Sequence, residues 1–137
     1  MTEPAKKRIL LVDDEQEILT LLRFVLEKDG YLISEARNGK IALDVLGVEP
    51  PNPNATIPDL IVLDIMMPVM DGYTLNTRLR VSDRTKNIPI IVLTARGQTM
   101  RDLFEVAPNV AAYLQKPFDP KMLRELIAGI LKNPVKK

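Results

Sequence analysis

The chain has 137 residues, a formal net charge of +1, 46% hydrophobic and 27% charged residues, and neither cysteine nor histidine. That composition fits one globular domain, and it excludes disulfides, thiol chemistry, phosphohistidine on this chain and a general electrostatic attraction to nucleic acid or membranes. Because no apolar run approaches the roughly 20 residues that span a bilayer, we expect a single cytoplasmic domain over residues 1–137, with its core at about residues 7–132 between short basic tails.

Apolar runs and helical periods alternate along the first half of the chain. Arg8–Val12 is typical of a buried strand, and a helical period then runs from Asp14 until Gly30 ends it. The buried stripe predicted for this helix consists of Ile18, Leu21, Leu22, Val25 and Leu26. Tyr31–Ala36 mixes polar and apolar residues as an edge strand does, and Asn38–Leu46 predicts a second helix after a turn.

The same alternation continues after a proline-rich loop at Glu49–Asp59, which we interpret as a tolerated insertion rather than a binding loop. Strands are predicted at Leu60–Leu63, Pro89–Leu93 and Val110–Leu114. Helices are predicted after Asp71, over Gln98–Ala107 and after a cap at Asp119. Their expected buried residues are, in turn, Leu75, Leu79 and Val81, then Met100, Leu103 and Phe104, then Leu123, Leu126, Ile127 and Ile130.

The order of these segments is strand then helix, five times over. Apolar runs without alternation are typical of strands buried on both faces. The pattern therefore predicts an α/β fold, in which a parallel five-stranded sheet lies between two layers formed by five helices.

Polar residues fall at the carboxyl ends of the predicted strands. Asp13 and Asp14 follow the first strand, Asp64 ends the third, Thr94 ends the fourth, and Lys116 lies just past the fifth. In an open parallel sheet, ligands bind outside these ends, where the strand order reverses. If the strand order is 2-1-3-4-5, the first and third strands are neighbours, and the three carboxylates would converge.

Three converging carboxylates repel one another unless a cation compensates. Oxygen ligands favour Mg²⁺, with Mn²⁺ as a substitute, and the lack of histidine and cysteine makes zinc a poor candidate. A metal ion there would also neutralise the charge of an incoming phosphoryl group. The residues therefore suggest a carboxylate that accepts a phosphoryl group, with Mg²⁺, a lysine and a hydroxyl as stabilising groups.

Each of these residues has a simpler explanation when it is taken alone. Asp13 or Asp14 fits a helix cap, and Asp64 fits a loop cap. Thr94 fits an ordinary hydroxyl at a strand end, and Lys116 fits a solvated lysine. Their joint position at strand ends favours a shared site.

Four segments in this order and spacing resemble the receiver domain of two-component response regulators, in particular its single-domain, chemotaxis-regulator-like members. They are ILLVDDE, LIVLDIMMPVMDG, IPIIVLTA and YLQKPF, and the resemblance covers nearly the whole chain. It implies a flavodoxin-like sheet of order 2-1-3-4-5. The loop at Glu49–Pro58 is longer than is usual in the family, and EVAPNVAAYL replaces the common approach to the fifth strand.

The resemblance also implies roles for the acids. Asp64 matches the phosphorylated aspartate, Asp14 the direct Mg²⁺ ligand and Asp13 the acid that holds a metal-bound water. The backbone carbonyl of Met66 matches a further metal ligand. We expect Asp64 to lie at the solvent-facing rim of the sheet rather than to be a buried charge.

Further residues match the family's switch. Thr94 matches the hydroxyl that moves to the phosphoryl group, Lys116 the lysine that pairs with its oxygens, and Tyr113 the aromatic residue that rotates inward. Ala95 is small where the family needs room, and the bond from Lys116 to Pro117 is usually cis in the family.

Two variable positions of the family tune the lifetime of the phosphoryl group, and here they hold Met66 and Arg96. Met66 has no hydrogen-bonding group that could orient an attacking water. We therefore predict slow autodephosphorylation.

By the same resemblance, the donor is a histidine kinase or a histidine phosphotransfer protein. Phosphorylation would change the surface of the fourth predicted helix, the fifth strand and the last helix, which would bind a downstream protein. We expect no enzymatic activity beyond the chain's own phosphorylation and slow dephosphorylation, no DNA-binding domain, no membrane contact, and a monomer or weak dimer.

Two other classes of function remain open. A phosphoaspartate hydrolase would carry Asp-x-Asp after its first strand, whereas Asp13 and Asp14 are adjacent here. A receiver-like module that binds proteins without phosphorylation would not need the full set of Asp13, Asp14, Asp64, Thr94 and Lys116.

Overall fold

The computed structural model describes residues 6–94 and 109–132, in which strands and helices alternate as predicted. The strands are β1 (Arg8–Val12), β2 (Leu32–Ala36), β3 (Leu60–Asp64), β4 (Ile90–Thr94) and β5 (Val110–Gln115), and the helices are α1 (Gln16–Lys28), α2 (Gly39–Val45), α3 (Gly72–Val81) and α4 (Pro120–Leu131). The helix predicted over Gln98–Ala107 lies outside the described residues. Within the described ranges, no helix is long and apolar enough to cross a membrane.

The strands form one parallel sheet, and its order confirms the flavodoxin-like prediction. The order is β2-β1-β3-β4-β5, and β1 lies beside β3 with Val12 opposite Leu63. The chain leaves β1 at Asp13 and ends β3 at Asp64, so both acids reach the same edge of the sheet. This is the edge at which the strand order reverses and ligands bind.

Two hydrophobic clusters cover the two faces of the sheet. Leu10 and Val12 of β1 pack with α2 and α3, whereas Ile9 and Leu11 pack with α1 and α4. This division follows from the alternation of side chains along a strand. Every residue of β3 and β4 is buried, as their uninterrupted apolar sequences predict, while β2 is an edge strand with exposed positions.

Two helical positions differ from the prediction. The buried residues of α1 are Leu19, Leu22 and Leu26, and the predicted Leu21 is exposed. Leu21 points roughly 200° around the helix from Leu19, because successive residues advance by about 100°. Val81 is exposed for the same reason, since it lies two residues beyond the buried Leu79 of α3.

The final helix agrees with its prediction. Asp119 caps α4 by accepting a hydrogen bond from the amide of Lys121 at 2.9 Å. Leu123 and Ile127 are buried, and Leu126 and Ile130 pack against the same cluster. The cap and the apolar stripe together fix α4 against the β5 side of the sheet.

The proline-rich loop is tied down at the amino ends of the strands. Arg84 donates hydrogen bonds to the backbone carbonyls of Leu46, Pro53 and Ala55. The carboxylate of Asp59 accepts a hydrogen bond from the amide of Arg8, the first residue of β1, at 2.8 Å. The loop therefore joins the sheet at the end opposite to Asp64, which supports its interpretation as an insertion away from the chemistry.

Gly39 opens α2 at a point where the chain has no room for a side chain. Asn38 caps this helix by accepting a hydrogen bond from the amide of Ile41 at 2.9 Å. A Cβ atom on Gly39 would lie 2.8 Å from both Cβ and Sδ of Met70, in the loop between β3 and α3. The start of α2 is therefore packed directly against the loop that follows Asp64.

Candidate functional site

The three predicted acids converge at the carboxyl edge of the sheet. Asp13, Asp14 and Asp64 each place one carboxylate oxygen so that these atoms all lie within 4.8 Å of one another. Asp13 is held in place by its amide, which donates to the carbonyl of Ala36 at 3.1 Å as if β1 continued by one residue. The convergence follows from the position of β1 beside β3.

Asp64 is more deeply buried than the sequence suggested. Only 3% of its surface is exposed, so the expectation of a carboxylate at the solvent-facing rim is wrong. The loop after β3 folds back next to Asp64, where the amide of Gly72 donates to the carbonyl of Ile65 at 2.9 Å. A Cβ atom on Gly72 would lie 2.7 Å from Cα of Ile65 and 2.9 Å from the carbonyl oxygen of Asp64, so this closure requires glycine.

The burial of Asp64 makes its negative charge unfavourable. Burial first, and then repulsion from Asp13, raise the pKa of Asp64 to about 6. Attraction to Lys116, whose Nζ lies 3.5 Å from Oδ2, and a 3.3 Å hydrogen bond from the amide of Met66 to Oδ1 oppose this rise in pKa. At neutral pH the carboxylate is therefore mostly ionised and poorly stabilised, which suits a nucleophile.

Lys116 is the cation among these acids. Its Nζ atom lies 3.0 Å from Oδ2 of Asp13, 3.5 Å from Oδ2 of Asp64 and 3.5 Å from Oε1 of Glu15. Burial alone would lower the pKa of Lys116, but the hydrogen bond to Asp13 and the charges of the three acids raise it above the usual lysine value. The ammonium group thus stays charged, and its shortest contact is with Asp13.

A backbone hydrogen bond fixes the main-chain position of Lys116. The amide of Lys116 donates to the carbonyl of Thr94 at 2.8 Å, and the peptide bond to Pro117 is cis, as the resemblance implied. Thr94 itself is buried at the end of β4, opposite Gln115 of β5. The hydroxyl-bearing and lysine-bearing strands therefore end side by side, next to the end of β3.

The helix-cap explanation for Asp13 and Asp14 does not fit the structure. The N-cap residue of α1 is Glu15, and it makes no side-chain capping hydrogen bond. Asp13 instead accepts a hydrogen bond from the amide of Glu15 at 2.9 Å. Burial raises the pKa of Asp13, although this hydrogen bond and Lys116 act against the rise. Burial thus raises the pKa of both buried acids, Asp13 and Asp64, despite the nearby charge of Lys116.

Tyr113 lies on the α2 and α3 face of the sheet, opposite Val92 of β4. It is half-buried, and burial raises the pKa of its phenol, so the hydroxyl stays protonated at neutral pH. Met66 is 60% exposed beside the acids. Ala95 and Arg96, which complete the predicted set, lie outside the described residues.

Two residues near the acids were not predicted from the sequence. Glu15 contacts Lys116, and Arg37 donates a hydrogen bond from Nη2 to the backbone carbonyl of Asp14 at 3.1 Å. The position of Glu15 directly after Asp14 was a visible signal. No local signal exists for Arg37, because its contact depends on β2 lying beside β1.

One family model matches most of the chain. It is the model of the response regulator receiver domain, and it matches residues 9–128. Among curated proteins, the alkaline phosphatase synthesis transcriptional regulatory protein PhoP of Bacillus subtilis is 36% identical over 127 residues, which make up 93% of this chain and 49% of that protein. The chain spans about half the length of this regulator and of two other curated transcriptional regulators that it matches.

Solved structures agree with this family. A putative response regulator from Chloroflexus aurantiacus has a TM-score of 0.79 at 33% identity, and the match covers 94% of this chain and 100% of that chain. The receiver domain of a sensor histidine kinase from Pseudomonas aeruginosa also has a TM-score of 0.79, at 27% identity and with the same coverage of both chains. That structure holds a magnesium ion in its active-site cleft.

Proposed function

This chain belongs to the response regulator receiver family, and from that premise we propose that Asp64 accepts a phosphoryl group from phosphohistidine on a histidine kinase or a histidine phosphotransfer protein. The observation that carries the proposal is the burial of Asp64 within reach of two further aspartates and Lys116. In this role the protein works in the cytoplasm as a switch, and it catalyses no reaction on other molecules.

The acid cluster fits a divalent cation that prefers oxygen ligands. The pKa values of Asp13 and Asp64 are raised chiefly by burial, and a cation near both would relieve the repulsion between them. Asp14 would bind the metal directly, Asp13 through water, and Asp64 and the carbonyl of Met66 would supply the other protein oxygens. Mg²⁺, or Mn²⁺ in its place, would neutralise charge on the phosphoryl oxygens. The magnesium ion of the Pseudomonas aeruginosa receiver domain supports this choice.

Asp64, Lys116 and Thr94 have separate roles in the proposed phosphoryl transfer. An oxygen of Asp64 attacks phosphorus in line, the bond from phosphorus to the imidazole nitrogen breaks, and its electron pair leaves with the ring. Lys116 then pairs with a phosphoryl oxygen, and the hydroxyl of Thr94 donates a hydrogen bond to another. Both groups start close by, because β3, β4 and β5 end side by side.

The acyl phosphate then shifts a conformational equilibrium. As Thr94 moves toward the phosphoryl group, Tyr113 turns inward and changes the surface of β5, α4 and the predicted helix over Gln98–Ala107. Such coupling is typically about 1–3 kcal/mol, so it changes populations rather than locking one state. A downstream protein would read this surface, and a weak dimer of the chain would use the same surface.

The direct test is phosphorylation by a small donor. Incubation with acetyl phosphate and Mg²⁺ is expected to add the mass of one phosphoryl group to the parent protein, and a peptide digest is expected to place it on Asp64. The Asp64→Asn variant should gain nothing. Asp44→Asn, which changes an exposed aspartate of α2, is the matched control and should react like the parent. An unmodified parent protein would contradict the proposal and favour a module that binds without phosphorylation.

Met66 provides a second test, at the step that removes the phosphoryl group. Its exposed side chain lies two residues from Asp64 and offers no hydrogen bond to an attacking water. We expect the half-life of the phosphorylated parent to be long, and Met66→Asn to shorten it by roughly tenfold. This effect is smaller than the usual effect of a general acid or base, because the amide of asparagine only orients the attacking water. The half-life is measured after the donor is removed, with Met66→Leu as the control. Equal half-lives for Met66→Asn and the parent would contradict this role.

A further inference from the structure

Glu15 is a fourth acid at the site, and it contacts the lysine rather than the nucleophile. Its Oε1 atom lies 3.5 Å from Nζ of Lys116, which is also the distance from Nζ to Oδ2 of Asp64. Asp13 is closer, at 3.0 Å. Two of the three acids around the ammonium group therefore belong to the segment after β1, and one belongs to β3.

The backbone of Glu15 is anchored, so its side chain has a fixed origin. The amide of Glu15 donates to Oδ1 of Asp13 at 2.9 Å, and its carbonyl accepts hydrogen bonds from the amides of Ile18 and Leu19 at 3.1 and 3.2 Å. Its side chain remains 59% exposed. Glu15 can thus hold Lys116 without being one of the three clustered acids that fit a cation.

This arrangement opposes the proposed reaction. Before phosphorylation, Glu15 and Asp13 together draw the ammonium group toward the segment after β1. During phosphorylation, the same group has to serve an oxygen of the phosphoryl group on Asp64. The carboxylate of Glu15 also adds negative charge where an anionic donor must approach.

We propose that Glu15 is a positioning residue that restrains Lys116 in the unphosphorylated protein and thereby slows the phosphorylation of Asp64. The inference rests on the proposed function, since it concerns the rate of the same reaction. Glu15 acts through Lys116, so its effect depends on the length of its side chain as well as on its charge.

Three variants separate the restraint from a simple change of charge. Glu15→Gln removes the charge and keeps the shape, whereas Glu15→Asp keeps the charge but shortens the side chain by one methylene, which moves the carboxylate away from Lys116. Glu17→Gln removes the same charge from an exposed position in the first turn of α1 and serves as the control. Thermal unfolding establishes that each variant is folded before rates are compared.

The rate of phosphorylation is measured with phosphoramidate at saturating Mg²⁺. Glu15→Gln and Glu15→Asp are both expected to react faster than the parent by roughly two- to fivefold, the scale on which half-exposed ion pairs act, and Glu17→Gln to react like the parent. The gain should shrink as salt is added, because salt screens a half-exposed pair. Binding of beryllium fluoride, which mimics an acyl phosphate without a transfer step, should tighten by a similar factor.

The other outcomes overturn the inference in distinct ways. If Glu15→Asp reacts like the parent while Glu15→Gln is faster, local charge alone is responsible and the restraint on Lys116 is rejected. If both variants react at the parent's rate or more slowly, Glu15 does not hold the lysine back. A parent protein that gains no phosphoryl group from either small donor would instead overturn the proposed function, and this inference with it.

Discussion

Asp64→Asn is expected to stabilise the metal-free protein near pH 7 by roughly 2–3 kcal/mol in the free energy of unfolding. Burial and repulsion from Asp13 raise the pKa of Asp64 from 3.8 to about 6, so the folded protein holds this proton more tightly than the unfolded chain does. The stability associated with the protonated form is fully present below pH 3.8 and is lost as the pH rises through about 6. Asparagine keeps the shape without the charge and removes this loss.

Urea unfolding in the presence of a chelator tests this expectation. The difference between Asp64→Asn and the parent should be small near pH 4, grow through the window up to about pH 6, and then level off. The raised pKa of Asp13 acts in the same direction in both proteins, whereas the raised pKa of Lys116 matters only at alkaline pH. Asp44→Asn, which changes an exposed aspartate of α2, is the control. A stability difference between Asp64→Asn and the parent that does not change with pH would contradict the assignment. Added Mg²⁺ should reduce the stability advantage of Asp64→Asn, because a bound cation favours the folded parent.

The second large effect is expected at Lys116. Lys116→Met keeps the length of the side chain and removes the charge that lies 3.5 Å from Oδ2 of Asp64 and 3.0 Å from Oδ2 of Asp13. Loss of one preorganised stabilising group lowers catalytic rates by roughly a hundredfold or more, and we expect a decrease of this size in the rate of phosphorylation by phosphoramidate. Within the part of the chain that the structure describes, Lys116 is the cation that contacts both Asp13 of the segment after β1 and Asp64 of β3.

Lys121→Met is the matched control for this variant. It removes the same charge from an exposed position in the first turn of α4 and should phosphorylate at the parent's rate. Because Lys116→Met leaves buried acids without their cation, thermal unfolding must show that the variant is folded at the assay temperature. If a folded Lys116→Met protein is phosphorylated at a rate within about threefold of the parent's, this lysine does not stabilise the transfer, because loss of such a group is expected to lower the rate by roughly a hundredfold.

The sheet and the convergence of the acids could be predicted because both follow from the order of residues along the chain. β3 and β4 are buried on both faces, and a continuous apolar run leaves few other interpretations. The strand order came from the resemblance, and it was enough to bring Asp13 and Asp64 to one edge. The cap at Asp119 could be predicted for a similar reason, because its side chain contacts an amide only two residues away.

The details that were predicted wrongly or not at all depend on how deeply a side chain is buried and on which way a helix faces. The sequence pattern alone does not specify either. Leu21 fits an apolar stripe, but Leu19 faces the sheet, since the direction in which a helix packs is set by the strands beneath it. Asp64 is 3% exposed, and its depth depends on the tertiary packing around the end of β3, which the apolar run before it does not specify. The contact between Glu15 and Lys116 joins residues that are about a hundred positions apart in the sequence.

The close packing of Gly39 against Met70 has an evolutionary consequence. Any side chain at position 39 would occupy the space that Met70 fills, and a displaced Met70 would move the loop that carries the neighbours of Asp64. A side chain at position 39 should therefore be accepted only together with a smaller residue at position 70. Positions 39 and 70 should vary as a pair among relatives, so that α2, which carries no acid of the site, still constrains how that loop can diverge.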